Sequence, residues 1–252
     1  MTEIPKTHPR YLSLMMREKL VEGVRLGVTA MQGLIAHGRG EAFDYILGER
    51  TRDFALKAER AAVAALLLAS KPVISVNGNV AVLVPKEVKE LAEAVGARVE
   101  INIFHHSPER VEKMKEYLEQ FDMEVLAACD AVLEGLDSAR RIVDSRGIYV
   151  ADVVLVPLED GDRCEILKKH GKKVIAIDLN PLSRTARMAD ITIVDNITRA
   201  LPKMVGMARE MKNWDREKLE NILQEYDNRE VLAQAVSEIK EYLDRVSKEF
   251  RK

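Results

Sequence analysis

The chain is expected to adopt an α/β fold: a mostly parallel sheet flanked by helices, with a helical N-terminal portion and a helical C-terminal tail. Three observations carry this expectation. Runs of strand length rich in β-branched residues recur through the middle of the chain, at Val73–Val76, Val99–Phe104, Val153–Val156, Val174–Ile177 and Ile191–Val194. Segments of helical period separate them, the pattern of βαβ units. Most of the runs stop in polar turns, and a parallel sheet gathers such turns on the edge where ligands bind. With no repeat or linker visible, one domain is expected, divided into a helical portion (about 10–69), a sheet core (about 72–196) and a helical tail (about 197–252).

In order, Pro5 and Pro9 make residues 1–9 an extended arm. A helix follows over Tyr11–Arg25, with Leu12, Met16, Leu20 and Val24 on one face. Arg17 leans toward that face, either as a long side chain lying along the core or as a cation over a ligand pocket; periodicity favours the first. Gly27 closes the helix. Residues 28–36 form a second helical piece, expected to break at His37-Gly38-Arg39-Gly40, and Glu41 opens a short helix stopped by Gly48. An Arg among backbone donors at a helix start can seat an anion, but an ordinary turn fits as well.

Thr51–Ala69 reads as a close-packing helix, followed by the Val73 strand and Asn77-Gly78-Asn79, a tight turn by its residues. Pro85 starts a helix that Gly96 caps before the Val99 strand. Ser107-Pro108-Glu109 opens a helix to about Gln120. Val125–Leu126 suggests a short strand, and residues 127–147, with the Arg140-Arg141 pair, an irregular excursion near the strand ends. The Val153 strand ends in Glu159-Asp160-Gly161-Asp162, and a helix over Asp160–His170 leads to the Val174 strand. Asp178-Leu179-Asn180-Pro181 interrupts that run, and Ser183, Arg184, Thr185 and Arg187 bring donors and cations together before the Ile191 strand and Asp195-Asn196. Helices over Ile197–Met211, 215–226 and 229–250 complete the chain.

Among the 252 residues, 47% are hydrophobic and only 5% aromatic, so aliphatic packing has to build the core. The net charge of −2 argues against a global field for nucleic acid or membrane, so an anion site has to be local. Cys129 and Cys164 lie in no CxxC, and the reading is two reduced thiols in a soluble cytoplasmic protein. The pair His105-His106 has no third ligand placed by the sequence, and no protein metal site is expected. The strand ends lack nucleophile–base, GxGxxG and GxxxxGK[ST] patterns. What they hold is carboxylates and amides for hydroxyls or a base, and arginines for phosphates. A nucleotide or a phosphorylated small molecule fits best.

Six motifs together carry a more specific resemblance: HPRY (8–11), Arg17-Glu18, GLIAHGRGEAFDY (33–45), VNGNVA (76–81), VPLEDGDR (156–163) and IDLNPLSRTARMADITIVDNI (177–197). Taken with the segment Glu225–Asn228, the chain resembles the archaeal 4-phosphopantoate–β-alanine ligase (phosphopantothenate synthetase) family along nearly its whole length, least over 105–147 and after about 229. The resemblance implies a Rossmann-like homodimer of the coenzyme A pathway. It would join 4-phosphopantoate and β-alanine with ATP, through an adenylate, to give 4-phosphopantothenate, AMP and diphosphate. It also implies ATP-binding roles for Arg17, Arg39, Asp178, Leu179, Asn180, Arg184, Thr185, Asn196 and Ile197. Arg39 and Arg184 are expected to stabilise charge in the reaction, and Mg²⁺ to arrive with ATP; Glu159, Asp160 and Asp162 can touch it, though capping of the following helix explains them equally well. His37, Gly38, Asn77 and Asn79 are candidates for the phosphopantoate pocket. Alternatives are a carboxylate–amine ligase with another acid or amine, or a nucleotide-binding regulatory protein without catalysis.

Overall fold

Five strands come together side by side although their chain segments are far apart. The computed structural model describes residues 4–251, and the following elements lie among them. The helical portion holds α1 (Tyr11–Arg25), α2 (Met31–Leu47) and α3 (Asp53–Leu68). The sheet core holds β1 (Pro72–Val76), α4 (Gly78–Leu83), α5 (Pro85–Val95), β2 (Arg98–Ile101) and α6 (Pro108–Glu119). It continues through β3 (Ala131–Val132), a 3₁₀ turn (Ala139–Arg141), β4 (Ile142–Val143), β5 (Val153–Pro157), α7 (Gly161–Lys169), β6 (Lys173–Ile177), α8 (Arg184–Met188) and β7 (Ile191–Ile193). The tail holds α9 (Ile197–Met211), α10 (Arg216–Gln224) and α11 (Asn228–Glu249).

The main sheet has the order β2-β1-β5-β6-β7 and every pairing in it is parallel. Side chains alternate between its faces, as the period of two requires. Leu155, Ile175 and Ile177 enter the larger core with α3, α5 and α9. Val154, Val156, Val174 and Ala176 enter a smaller core with Cys164 and Leu167 of α7. Both faces are buried, which explains why the strands read as continuous apolar runs. The expected parallel α/β sheet and its helical ends are therefore present.

Local chemistry sets several boundaries where expected. The Ser107 side chain accepts from Arg110 N at 3.2 Å at the start of α6, and Asn196 accepts from Thr198 N at 3.1 Å at the start of α9. Gly96, with φ of 69°, ends α5 in the left-handed conformation.

Other expectations need correction. Residues 1–3 of the extended arm lie outside the described residues, and Pro5–His8 forms a turn, with His8 N donating to Pro5 O at 2.9 Å. Leu12 is 75% exposed rather than part of the buried face of α1. Asn77-Gly78-Asn79 is no isolated turn: Asn77 caps α4 by accepting from Asn79 N and Val80 N. β2 stops at Ile101 instead of Phe104; Asn102 N still donates to Val76 O at 2.9 Å, while its side chain bonds the carbonyls of Arg140 and Ile142. The irregular 127–147 segment does contain the small antiparallel β3–β4 pair.

The main correction concerns His37-Gly38-Arg39-Gly40. No loop is present, and α2 runs unbroken through all four residues to Gly48, where φ is 88°. Two interior glycines cost a helix roughly 1 kcal/mol each relative to Ala. Tertiary anchors offset that cost. Glu41 is held by Ser13 and Arg17, and Asp44 by Asn196 and Arg199.

Candidate active site

Helix α2 lies crosswise over the C-terminal ends of the strands. Just after β1, Asn79 Nδ2 donates to Gly33 O at 2.9 Å. Just after β6, Leu179 packs on Gly40, where an added Cβ would lie 3.6 Å from Leu179 Cδ1. Just after β7, Asn196 Nδ2 donates to Asp44 Oδ2 at 2.9 Å. From Gly33 to Asp44 a helix rises about 16 Å. From β1 to β7 is three strand spacings, about 14 Å. The two lengths agree, so α2 forms a roof over the edge where the sheet presents its polar turns. Gly33 is needed for the close approach: a Cβ there would stand 2.4 Å from Asn79 Oδ1.

Under one end of the roof, around β6 and β7, lie most of the expected nucleotide residues. Asp178 accepts from Asn180 N at 2.9 Å and from the Ser183 hydroxyl. Burial pushes its carboxyl up; those hydrogen bonds and the nearby Arg39 guanidinium act against the shift. Arg39 itself is exposed on α2. Arg17 crosses from α1 to grip Glu41, with Nη2–Oε2 at 2.8 Å. Burial pushes Glu41 up, but hydrogen bonds from Arg17 and Ser13 outweigh it and hold this carboxyl below its ordinary range. His37 sits one turn before Glu41, half-buried, with Nε2 lacking a hydrogen-bond partner among the described residues. Burial lowers its pKa; Glu41 acts against that and Arg17 adds to it.

Asn196 joins a deeper network. Arg199 bridges Asp44 at 2.6 Å and Asp195 at 2.5 Å, and the Thr51 hydroxyl donates to Asp195. Ile197 is buried at the start of α9. Arg184 is placed differently. It opens α8, five residues long and capped by Ser183, a helix for which no expectation was stated. Its guanidinium turns to Asp162 and Glu165 of α7 instead of toward α2. The buried Thr185 donates to Glu159 O at 2.6 Å.

Under the other end of the roof, β1 and β5 lie side by side although the chain leaves β1 toward β2. Connections depart here in opposite directions, which opens a crevice at the strand ends. A cavity of about 260 Å³ occupies it, lined by Asn77, Asn79, His105, Arg110, Arg140 and Asp160 among others. The Asn77 amide is committed to the protein, donating to Pro157 O at 3.0 Å while it caps α4. Gly38 is exposed, with open space where a side chain would be, and it lies in a helix without the backbone freedom expected of it.

A ligand edge with arginines and amides at its β6–β7 end and a crevice at its β1–β5 end suits two dissimilar small molecules. The model of the phosphopantothenate/pantothenate synthetase family matches residues 54–242. The chain belongs to this family. It is 57% identical to a 4-phosphopantoate–β-alanine ligase of Thermococcus kodakarensis over 252 residues, 99% of this chain and 97% of that one. It is 57% identical to one from Methanosarcina mazei, over 99% of both chains. A third, from Methanospirillum hungatei, is 45% identical over 95% of this chain and 98% of its own.

The family match begins at Phe54, inside α3, so α1 and α2 are covered by the full-length relatives alone. Arg110 and Arg140 also line the crevice, and no motif in the sequence marks either of them. One local signal was present. Arg110 lies in the first turn of α6, where the helix dipole disfavours a cation.

Proposed function

We propose that this chain is a 4-phosphopantoate–β-alanine ligase of coenzyme A biosynthesis, using ATP and releasing AMP and diphosphate. The observation that carries the proposal is near-full-length identity of 57% to ligases of that name. The two-compartment edge supports it. In the first step a carboxylate oxygen of 4-phosphopantoate attacks the α-phosphorus of ATP. An O–P bond forms and the bond to the leaving diphosphate breaks. In the second step the β-alanine amine attacks the acyl carbon, a C–N bond forms, AMP departs and the nitrogen loses a proton. Both steps need negatively charged partners held in line more than they need a covalent intermediate.

In this reading ATP lies under the β6–β7 end of the roof. Asp178, with the Leu179-Asn180 turn, holds the nucleoside; Asn196 and Ile197 form the adjoining wall at the head of α9. Arg17 and Arg39 approach from the helices and compensate phosphate charge, and Arg39 stabilises the charge that develops toward diphosphate. Arg184 and Thr185 serve the phosphates from the α8 side, Arg184 exchanging Asp162 and Glu165 for them. His37 faces the acid between the two compartments, and Asn77 and Asn79 shape the crevice wall. Among the described residues no group of three or more His, Cys, Asp or Glu side chains is gathered for a metal ion. Mg²⁺ would therefore be held mainly by ATP; Glu159 and Asp162 are already paired with arginines.

We read the enzyme as a cytoplasmic homodimer; no described helix is long and apolar enough to cross a membrane. Mass spectrometry of a reaction with ATP, 4-phosphopantoate and β-alanine tests the proposal. The expected products are the amide and AMP. Release of ADP would overturn the adenylate route, and ATP binding without amide formation would overturn the ligase reading.

A further inference from the structure

The anchor of α2 at the β7 end depends on one guanidinium group. Arg199 stands in the first turn of α9, where the helix dipole disfavours a cation, so its place needs a tertiary reason. Its Nη1 donates to Asp44 Oδ2 at 3.1 Å and its Nη2 to Asp44 Oδ1 at 2.6 Å. Its Nε and Nη2 also donate to Asp195 Oδ1, at 2.9 and 2.5 Å. Both carboxylates in turn hold Asn196. The Asn196 main-chain N donates to Asp195 Oδ1 at 2.7 Å, and its side-chain Nδ2 donates to Asp44 Oδ2 at 2.9 Å. The Arg199 side chain thus fixes Asn196 from two sides, through other groups.

A third carboxyl group lies against this cluster and takes no part in it. Glu59 of α3 is fully buried, and neither of its oxygens has a hydrogen-bond partner among the described residues. Asp195 faces it from the end of β7, and Arg199 and Lys203 face it from α9. The other helices packed on α3, which are α5, α10 and α11, bring no charge among the described residues that shifts it. Burial first, and then Asp195, push its pKa up to about 8, while Lys203 and Arg199 act against the shift. A neutral Glu59 leaves the Arg199 fork to Asp44 and Asp195. An ionised Glu59 repels Asp195 and draws on both cations, because a buried carboxylate without a charged partner is costly.

We propose that Arg199 is a positioning residue for the nucleotide, acting through Asn196 and α2, and that it keeps its hold only while Glu59 is neutral. This inference rests on the reading above that places ATP under the β6–β7 end of the roof. It gives a role to two residues that the mechanism does not use. With Glu59 protonated, Arg199 ties the last turn of α2 to the head of α9 and sets Asn196 against the nucleoside. With Glu59 ionised, Arg199 is drawn from Asp44, α2 loses its charged anchor, and the Asn196 amide loses a fixed acceptor. Nucleotide binding and proton binding at Glu59 therefore favour each other. The affinity is present below the pKa of Glu59 in the folded protein and declines as pH rises through it.

The test is calorimetric titration of wild type, Glu59→Gln and Arg199→Lys with a non-hydrolysable ATP analogue, well below the melting temperature and in two buffers of different ionisation enthalpy. In wild type the Kd should rise by roughly 5- to 20-fold between about pH 7.5 and 9.5, and binding near the upper end should take up close to one proton per nucleotide. Glu59→Gln copies the neutral acid, so its Kd should stay level over that range with no proton taken up. The proton count is a readout that a merely structural Glu59 would leave at zero. Arg199→Lys keeps the charge but loses the fork, and should raise Kd roughly 10-fold. The comparison of wild type with Glu59→Gln stands even if that variant folds poorly. A wild-type Kd that ignores pH, as if Lys203 alone absorbed the charge, would overturn the proposal. So would the same pH dependence in Glu59→Gln, or wild-type affinity in Arg199→Lys. Wild type that binds no analogue at any pH would overturn the nucleotide reading instead.

Discussion

Arg39 and Glu59 show how differently two charged side chains can be used. Arg39 is exposed on α2, beside the half-buried Asp178. Its removal disturbs no core contact, while in the proposed mechanism a developing oxyanion loses a donor. Arg39→Ala should lower AMP formation by roughly 10²- to 10³-fold and leave the melting temperature within about a degree of wild type. Rate assays beside a thermal melt check both halves. Glu59 of α3 is fully buried, and neither carboxyl oxygen has a partner among the described residues. Burial, with Asp195 nearby, pushes its pKa up from 4.5 to about 8. The folded state therefore binds a proton that the unfolded state releases above about pH 4.5, and stability falls as pH rises through that window toward 8. Glu100, buried beneath two backbone N–H donors and pushed up to about 7, has the same sign. Glu59→Gln should flatten this decline and stabilise the protein at pH 8.5 by on the order of 1–3 kcal/mol, read from denaturant midpoints across pH.

At the scale of elements, α2 differs most from its sequence. Helices such as α5, α6 and α9 were legible because their signals are local: Pro85 and Gly96, Ser107 and Pro108, Asn196. The two glycines around Arg39 give the opposite local signal. What keeps α2 helical is distant in sequence, namely Ser13, Arg17, Asn196 and Arg199. The short helices α4 and α8 were missed for a related reason, since single turns are stabilised by what they pack against. Two substitutions separate a helix from a loop. Gly38 faces open space, so Gly38→Ala should stabilise by about 0.5–1 kcal/mol in a helix; a left-handed loop position would be destabilised instead. Gly33→Ala should cost about 1–3 kcal/mol, because its methyl group meets Asn79. Chemical denaturation of both variants measures the contrast.

For the whole molecule, the strands and their common direction could be read from apolar runs and polar turns, but their lateral order could not. Local pattern does not say that β5 returns beside β1, and that adjacency creates the crevice. Hence the β6–β7 compartment was legible from motifs next to its strands, whereas Arg110 and Arg140, 30 residues apart and joined by folding alone, were not. The roof helix has a further consequence. A single element touches the β1 end through Gly33 and the β7 end through Asp44. If ATP shifts the position of α2 in a way that favours the acid, the acid must favour ATP by the same factor, because the free energy around a binding cycle closes. Calorimetric titration of 4-phosphopantoate with and without a non-hydrolysable ATP analogue, and of the analogue with and without the acid, should give one shared ratio above unity. In the Asp44→Ala variant, which frees the far end of the roof, that ratio should drop toward one. The span of α2 would then let the doubly loaded enzyme accumulate at the expense of both singly loaded forms.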